Sequence, residues 1–384
     1  MAGEVFFDYY YGNESNQFPF YTILRQFITG DRFKRLSTDA KLLYLRVLSV
    51  VLAAAPLPVD CFYRAIVIYS LLSKEKAGKA EHMNTNIISD IFDLHLHTVP
   101  QEIERCAVGT GNYVYIVTCG DVKYIFRCNI TDDSYADTVY WLNELSALEL
   151  PIPKVLFHGQ YEYYEYLILT YLQGKDIGLV YQDLTAAEKR KIAKDIIAVQ
   201  RKVAQLPLKC VDDTWSWVDF IDDMLERAQR RIVCNGYFDS RKVTQVQEQK
   251  AYLEAYFRAV KPVAYLDDVT TKNLLVHNGQ LSGIVDIDWM GIGDNLTFIA
   301  LTYVALLNMD YETDYIDYLL EERGCNDMER KAFWFYSLLY CVDFMGERGT
   351  QFGDKTVAVN AEIVEKLNHI YENLWRKWCE EIHQ

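Results

Sequence analysis

The chain has 384 residues, 51% hydrophobic and 24% charged, which is ordinary for a globular protein and enough to bury large cores. Residues 1–82 carry 10 Lys/Arg against 8 Asp/Glu, so they are slightly basic and the remainder, with 29 Lys/Arg and 46 Asp/Glu, carries −17 against the total of −15. A body that acidic is a poor general nucleic-acid binder and a reasonable receptor for a cationic small molecule, although acidity also serves solubility alone.

The nine cysteines form no CxxC pair and follow no regular spacing, so neither a zinc site nor a disulfide framework is expected. Scattered thiols of this kind fit a reducing cytoplasm. Met1-Ala2-Gly3-Glu4 leads into acidic and aromatic residues, and no signal peptide is expected. The most apolar stretch, Val47 to Val59, is broken by Pro56 and Pro58 and bounded by Arg46 and Asp60. That is too short to span a bilayer, and the run from Ala65 to Ser73 is shorter still.

In chain order, the first unit mixes aromatic and basic residues from Phe18 to Phe33. Ser37 or Thr38 then caps a helix from Ala40 to Tyr44, with Asp39 in its first turn. Phe20-Tyr21-Thr22-Ile23 and the run from Asp31 to Tyr44 resemble the start of plasmid replication initiator proteins of Gram-positive bacteria, a winged-helix DNA-binding family. The likeness covers about residues 5–44 and stops part-way through the helix-turn-helix. With no second helix to lay in a groove, specific nucleic-acid binding does not carry over. Residues 74–82 have the charged, small composition of a linker, and Met83 stands just before the next apolar segment, Ile87 to Leu96. Residues 1–82 are therefore expected to be a separate and dispensable fragment with its linker.

Glu102 to Arg127 shows strand alternation interrupted by glycine. Gly109 and Gly111 flank Thr110 and allow backbone amides to approach a phosphate, although a plain hairpin turn explains them as well. Lys123 and Arg127 share a strand face. A cation here can hold nucleotide phosphates if a carboxylate on the following helix orients it, and Glu144 in Tyr140–Leu145 is the candidate. Arg127 is preferred to Lys123 because it lies at the strand end. The apolar run Tyr166 to Thr170, continuing through Leu172 to Gly174, is suited to lend backbone hydrogen bonds to an adenine ring; a core strand and turn is the alternative.

The densest signal lies downstream. Leu266-Asp267-Asp268-Val269-Thr270-Thr271-Lys272-Asn273 precedes an apolar run, a turn at Asn278-Gly279, and a second run ending in Asp286. A hairpin brings Asp268, Asn273 and Asp286 together. Phosphoryl transfer from a magnesium nucleotide needs one carboxylate at the acceptor hydroxyl, plus an amide oxygen and a second carboxylate on the metal.

On these residues the region from 83 to 384 resembles the aminoglycoside phosphotransferase and choline kinase-like family. That family's catalytic segment reads His-Gly-Asp-x-x-x-x-Asn, and its metal segment has the spacing of Val285-Asp286 through Gly293-Asp294. Pro151-Ile152-Pro153 matches its Pro-x-Pro element. The resemblance implies an α+β, protein-kinase-like two-lobe fold: a small β-rich lobe over 83–172 and a larger helical lobe over 173–384. It implies Asp268 as catalytic residue, Asn273 and Asp286 as magnesium ligands, and Gly109, Gly111, Arg127, Glu144, Thr170 and Leu172 around ATP or GTP. Asp288 falls to a supporting or substrate-side role, because the spacing to Gly293-Asp294 selects Asp286.

One departure stands out. Leu266 and Asp267 replace the His and Gly, and the family His braces the catalytic loop, so its loss bears on loop geometry and rate. Asp268, Asn273 and Asp286 are intact, which argues for a working enzyme. The acceptor expected is the hydroxyl of a small molecule, with an aminoglycoside-like cation favoured by the carboxylates between Asp310 and Glu322. A macrolide or an endogenous hydroxylated metabolite is the alternative. The competing class is a replication-initiator-derived DNA-binding protein with an inactive kinase-like scaffold.

Overall fold

Alternating side chains build the first third of the described chain into a sheet. The computed structural model describes residues 84–106, 113–129, 135–162, 164–208, 211, 214–352 and 355–383, and apart from Asn84 these belong to one unit, Thr85–Gln384. Five strands, β1 (Glu102–Arg105), β2 (Tyr113–Cys119), β3 (Val122–Asn129), β4 (Val155–Tyr161) and β5 (Tyr164–Thr170), pair antiparallel in the order β1-β2-β3-β5-β4. In β2, Tyr115, Val117 and Cys119 are buried and the residues between them only partly so, the two-residue period of a half-covered strand.

Two helices flank this sheet. Helix α1 (Thr85–Leu96) buries Ile88, Ile91 and Phe92, and the Phe92 ring packs at 5.6 Å from Tyr124 and 6.3 Å from Phe126. His95 stacks on Phe157 and hydrogen-bonds the Tyr166 hydroxyl at 2.6 Å. Helix α2 (Ala136–Ser146) turns Thr138, Leu142 and Leu145 inward, the spacing of one helical face.

The remainder is mainly helical. Helix α3 (Ala186–Val203) starts at a capping box in which Thr185 and Glu188 satisfy each other's backbone N–H. Helix α4 (Trp217–Asn235) starts at Ser216 and ends at Gly236 in a left-handed conformation. Beyond α5 (Arg241–Gln249) lie the short strands that carry the candidate site, then α6 (Leu296–Asn308), α7 (Asp314–Arg323), α8 (Asp327–Glu347) and α9 (Ala361–Ile382). Helix α8 is apolar on nearly every side and forms the centre of the lobe, with Phe333, Phe335, Tyr336, Leu338, Leu339 and Val342 all buried. Helix α9 covers it with Leu367, Tyr371, Leu374 and Trp378. The α+β division expected from sequence, a small sheet lobe followed by a larger helical one, is the observed architecture. The readings made for residues 1–82, including the helix Ala40 to Tyr44 and the linker, lie outside the described residues.

One knot fixes the end of the site segment to the helical core. Asp294 is buried; its Oδ2 accepts from the Tyr336 hydroxyl at 2.9 Å, which in turn accepts from Trp217 Nε1 at 2.8 Å. Gly293, at φ +136, lies flat against Trp217, where an added Cβ would come 2.2 Å from the ring. Gly293→Ala should therefore destabilise the protein by about 2–3 kcal/mol. A melting curve would show this as a fall in Tm of several degrees; an unchanged Tm would mean the Trp217 contact is not close-packed.

Candidate active site

The candidate catalytic loop runs from 266 to 273 between β7 (Ala264–Tyr265) and β8 (Leu274–His277), with β9 (Gln280–Ile284) completing the hairpin. Asn278 and Gly279 both have positive φ, +50 and +70, which matches a tight two-residue turn and fixes the register. Strand β6 (Lys175–Asp176) pairs with β8 on its other side, and β10 (Gly291–Ile292) pairs with β7. Leu266, Val269 and Leu274 are buried anchors, so the polar residues between them have little freedom to drift.

The loop folds around Asp268. Thr270 Oγ1 donates to Asp268 Oδ1 at 2.9 Å, and Asn273 Nδ2 donates to the Asp268 carbonyl at 2.8 Å. A carbonyl oxygen can only accept, so the amide N–H of Asn273 faces it and the amide oxygen points away from it. The Asn273 carbonyl accepts from the Val285 N–H at 2.9 Å, and this joins the loop to the segment bearing Asp286. Asp286 has φ +60, a left-handed backbone that Asp tolerates better than most residues, and its side chain is 56% exposed. Asn273 and Asp286 thus offer hard oxygen donors of the kind magnesium takes.

Arg127 enters from β3. It is only 5% exposed, and its guanidinium makes a two-pronged bond with Asp288, Nη1 to Oδ1 at 2.9 Å and Nη2 to Oδ2 at 2.6 Å. Nη2 also lies 3.5 Å from Asp286 Oδ1. Its Nε–H is buried with no acceptor among the described residues. The expected orienting carboxylate was Glu144; the structure gives that position to Asp288. The reason is helical reach: Tyr135, whose ring centroid lies 5.5 Å from the guanidinium, and Thr138, whose hydroxyl donates to Asp288 at 3.0 Å, stand at the start of α2. Glu144 follows six residues after Thr138, about 9 Å further along the axis. Lys123, the other cation considered, is exposed with Nζ 5.8 Å from the Tyr171 ring centroid.

Four carboxylates crowd this point. Crowding by protein atoms around the cleft partly desolvates the Asp286 carboxyl and lifts it above its ordinary range even though the side chain reaches solvent, Arg127 opposing the shift. Burial likewise raises Asp268, opposed by its bonds from Thr270 and Asn273 and by Lys272. Asp267 is pushed furthest, to about 6, by burial and then by the neighbouring Asp268 charge. Trp289, next to Asp288, is 73% exposed.

Of the remaining sequence-predicted residues, Thr170 ties the start of β4 in place. Its N–H donates to the Lys154 carbonyl at 3.0 Å and its Oγ1 accepts from the Lys154 N–H at 2.9 Å. Leu172 packs on Gly283, where a Cβ would meet its Cδ1 at 2.8 Å. Gly109 and Gly111 lie outside the described residues. The carboxylates between Asp310 and Glu322, expected to receive a cationic substrate, are largely engaged within the chain. Lys189 is buried and meets Asp314 at 2.9 Å and Glu312 at 3.6 Å, Arg190 meets Glu321 at 2.8 Å, and Lys366 meets Asp310. Helix α3 needs counter-charges for its buried cation, and α7 supplies them.

Sequence reasoning missed two residues, Gln200 and Thr138. Gln200 is buried on α3 and bonds both backbone groups of Leu266. A polar residue inside the apolar stripe Ile192, Ile196, Ile197 and Val203 was the available signal.

The sequence model of the phosphotransferase enzyme family matches residues 102–334. No curated protein matches the sequence, and no comparison supports the initiator resemblance of residues 5–44. Among solved structures, a thermostable mutant of aminoglycoside phosphotransferase APH(4)-Ia superposes with a TM-score of 0.55 at 17% identity, over 77% of this chain and 98% of its own. ADP-bound aminoglycoside phosphotransferase APH(2'')-Ib gives 0.54 at 15% identity, over 76% and 97%. The streptomycin–ATP complex of APH(2'')-IIa gives 0.51 at 14%, over 77% and 97%. At such identities the likeness is one of fold.

The raised carboxyl of Asp267 carries a pH signature. A folded-state value near 6 against 3.8 for the ordinary carboxyl means the folded protein binds this proton more tightly than the unfolded chain. The resulting stabilisation is complete below about pH 4 and is lost as pH rises through 6. Asp267→Asn removes the titration, so its Tm advantage over the parent should grow between pH 4.5 and 7.5. Melting curves at the two pH values test this; an equal difference at both would contradict the assignment.

Proposed function

The chain belongs to the phosphotransferase enzyme family, a small-molecule kinase by that membership, and from this premise we propose that it transfers the γ-phosphoryl group of ATP or GTP directly to a hydroxyl of a small molecule. The observation that carries the proposal is the gathering of Asp268, Asn273, Asp286 and Arg127 at one point. Asp268 accepts a hydrogen bond from the acceptor hydroxyl, aims it at the phosphorus and takes its proton. Thr270 holds Oδ1, which leaves Oδ2 the freer oxygen for the substrate. Partial desolvation raises this carboxyl and makes it a better base, while Lys272 helps keep it ionised.

Asn273 and Asp286 fit a magnesium ion by donor chemistry, an amide oxygen on the side away from the Asp268 carbonyl and an exposed carboxylate. When bound, magnesium supplies charge neutralisation on the β and γ phosphates. Arg127, aligned by Asp288, steadies the phosphates. Transfer needs no covalent intermediate on the protein.

For the acceptor, an aminoglycoside-like cation is the first reading. Asp267, Asp268 and Asp286 give the site itself a negative character, and the structural neighbours include aminoglycoside complexes. A second reading, a neutral macrolide or hydroxylated metabolite, is favoured by the internal pairing of the carboxylates on and before α7. The seven described cysteines are free thiols, in keeping with a cytoplasmic setting. No described helix is long and apolar enough to cross a membrane.

Asp268→Asn should lower phosphoryl transfer by about 10²–10⁴-fold with nucleotide affinity nearly unchanged; parent-level turnover would sink the mechanism. Purified protein with labelled ATP, screened against aminoglycosides, macrolides and small hydroxylated metabolites, identifies the acceptor. Labelling of macrolides alone would overturn the cationic reading. Protein beginning at Met83 is expected to keep full activity, and loss of folding or turnover would make residues 1–82 part of the enzyme.

A further inference from the structure

The loop lacks the family's bracing His, since Leu266 occupies that position and turns into the core. What holds the loop's base is a side chain from another element. Gln200 of α3 is 1% exposed. Its Oε1 accepts from the Leu266 N–H at 2.9 Å, and its Nε2 donates to the Leu266 carbonyl at 2.7 Å. These two backbone groups belong to successive peptide planes flanking one Cα, so holding both restricts rotation about both Leu266 torsions. The next residues inherit that orientation: the Leu266 carbonyl is bonded to the Asp267 nitrogen, and Asp267 Oδ1 accepts from the Asp268 N–H at 2.9 Å.

We propose that Gln200 is a positioning residue for phosphoryl transfer, bracing through the Leu266 backbone the loop that the family braces through a His side chain. The proposal rests on the reading of Asp268 as the residue that orients the acceptor. Only a group that donates and accepts at once can serve both ends of Leu266. A primary amide does so at any pH, a carboxyl only while protonated, and a thioether not at all. The surrounding stripe of Ile196, Ile197 and Val203 is apolar, which leaves Gln200 no competing side-chain partner on its own face. Nucleotide contacts assigned to Arg127 and the end of β5 lie on other elements, so the brace should act on turnover and not on nucleotide affinity.

The test uses the full chain and magnesium-ATP turnover to ADP, with the acceptor from the screen where one is found. Gln200→Met should lower kcat by about 10–100-fold while the KM for ATP stays within about two-fold. Gln200→Glu keeps the size and adds a titration: its kcat relative to the parent should rise as the pH is lowered from about 8 to 6. Parent-like kcat in both variants overturns the proposal, as does a joint change of kcat and nucleotide KM or a flat pH ratio for Gln200→Glu. Should Gln200→Met fail to fold, the pH ratio of Gln200→Glu decides alone. Asp268→Asn is measured alongside. Parent-like turnover in Asp268→Asn refutes the functional reading, whereas an inactive Asp268→Asn beside unaffected Gln200 variants refutes only the brace.

Discussion

The site depends on keeping one guanidinium charged in a place with almost no water. Arg127 is buried, which by itself opposes its charge, and the Asp288 carboxylate, helped by Tyr135 and Asp286, more than offsets that opposition. Asp288 comes from the far end of the hairpin segment, so the ion pair joins the small sheet to the loop that carries Asp286. Thr138 adds a bond to the same carboxylate and draws the first turn of α2 to the same point. A buried ion pair of this kind adds little net stability but is costly to break from one side, so it specifies an arrangement more than it strengthens one.

Much of this was legible in the sequence because it is local. Asn278-Gly279 between two apolar runs has one economical conformation, and Asp268, Asn273 and Asp286 lie within a few residues of that hairpin. The partner of Arg127 was not legible. Choosing between Glu144 and Asp288 requires knowing which turn of α2 faces the guanidinium, and that is set by packing across the sheet, not by spacing along the helix. Gln200 was hidden for a similar reason, since its partner lies 66 residues away and is backbone, which leaves no mark in the partner's side chain.

The acidic composition misled in an instructive way. Carboxylates on and before α7 look like a receptor when read along the chain, but Lys189, Arg190 and Lys366 reach them from α3 and α9. Charge that is neutralised across helices says nothing about ligands. Charge that remains crowded despite its cost does, and here that is the cluster of Asp267, Asp268 and Asp286, each held above the ordinary carboxyl range.

Trp289 gives this cleft a property independent of any chemistry it performs. Of the seven tryptophans, Trp217 and Trp378 are buried, four are half-buried, and Trp289 alone is exposed, one residue from the carboxylate that clamps Arg127. An indole in water emits at longer wavelength than one in a core and is the first to meet a dissolved quencher. The red edge of the protein's emission therefore belongs mostly to this one ring, and a ligand settling over the hairpin would dim its exposure to iodide before any product formed. The chain carries its own optical probe at the mouth of its site.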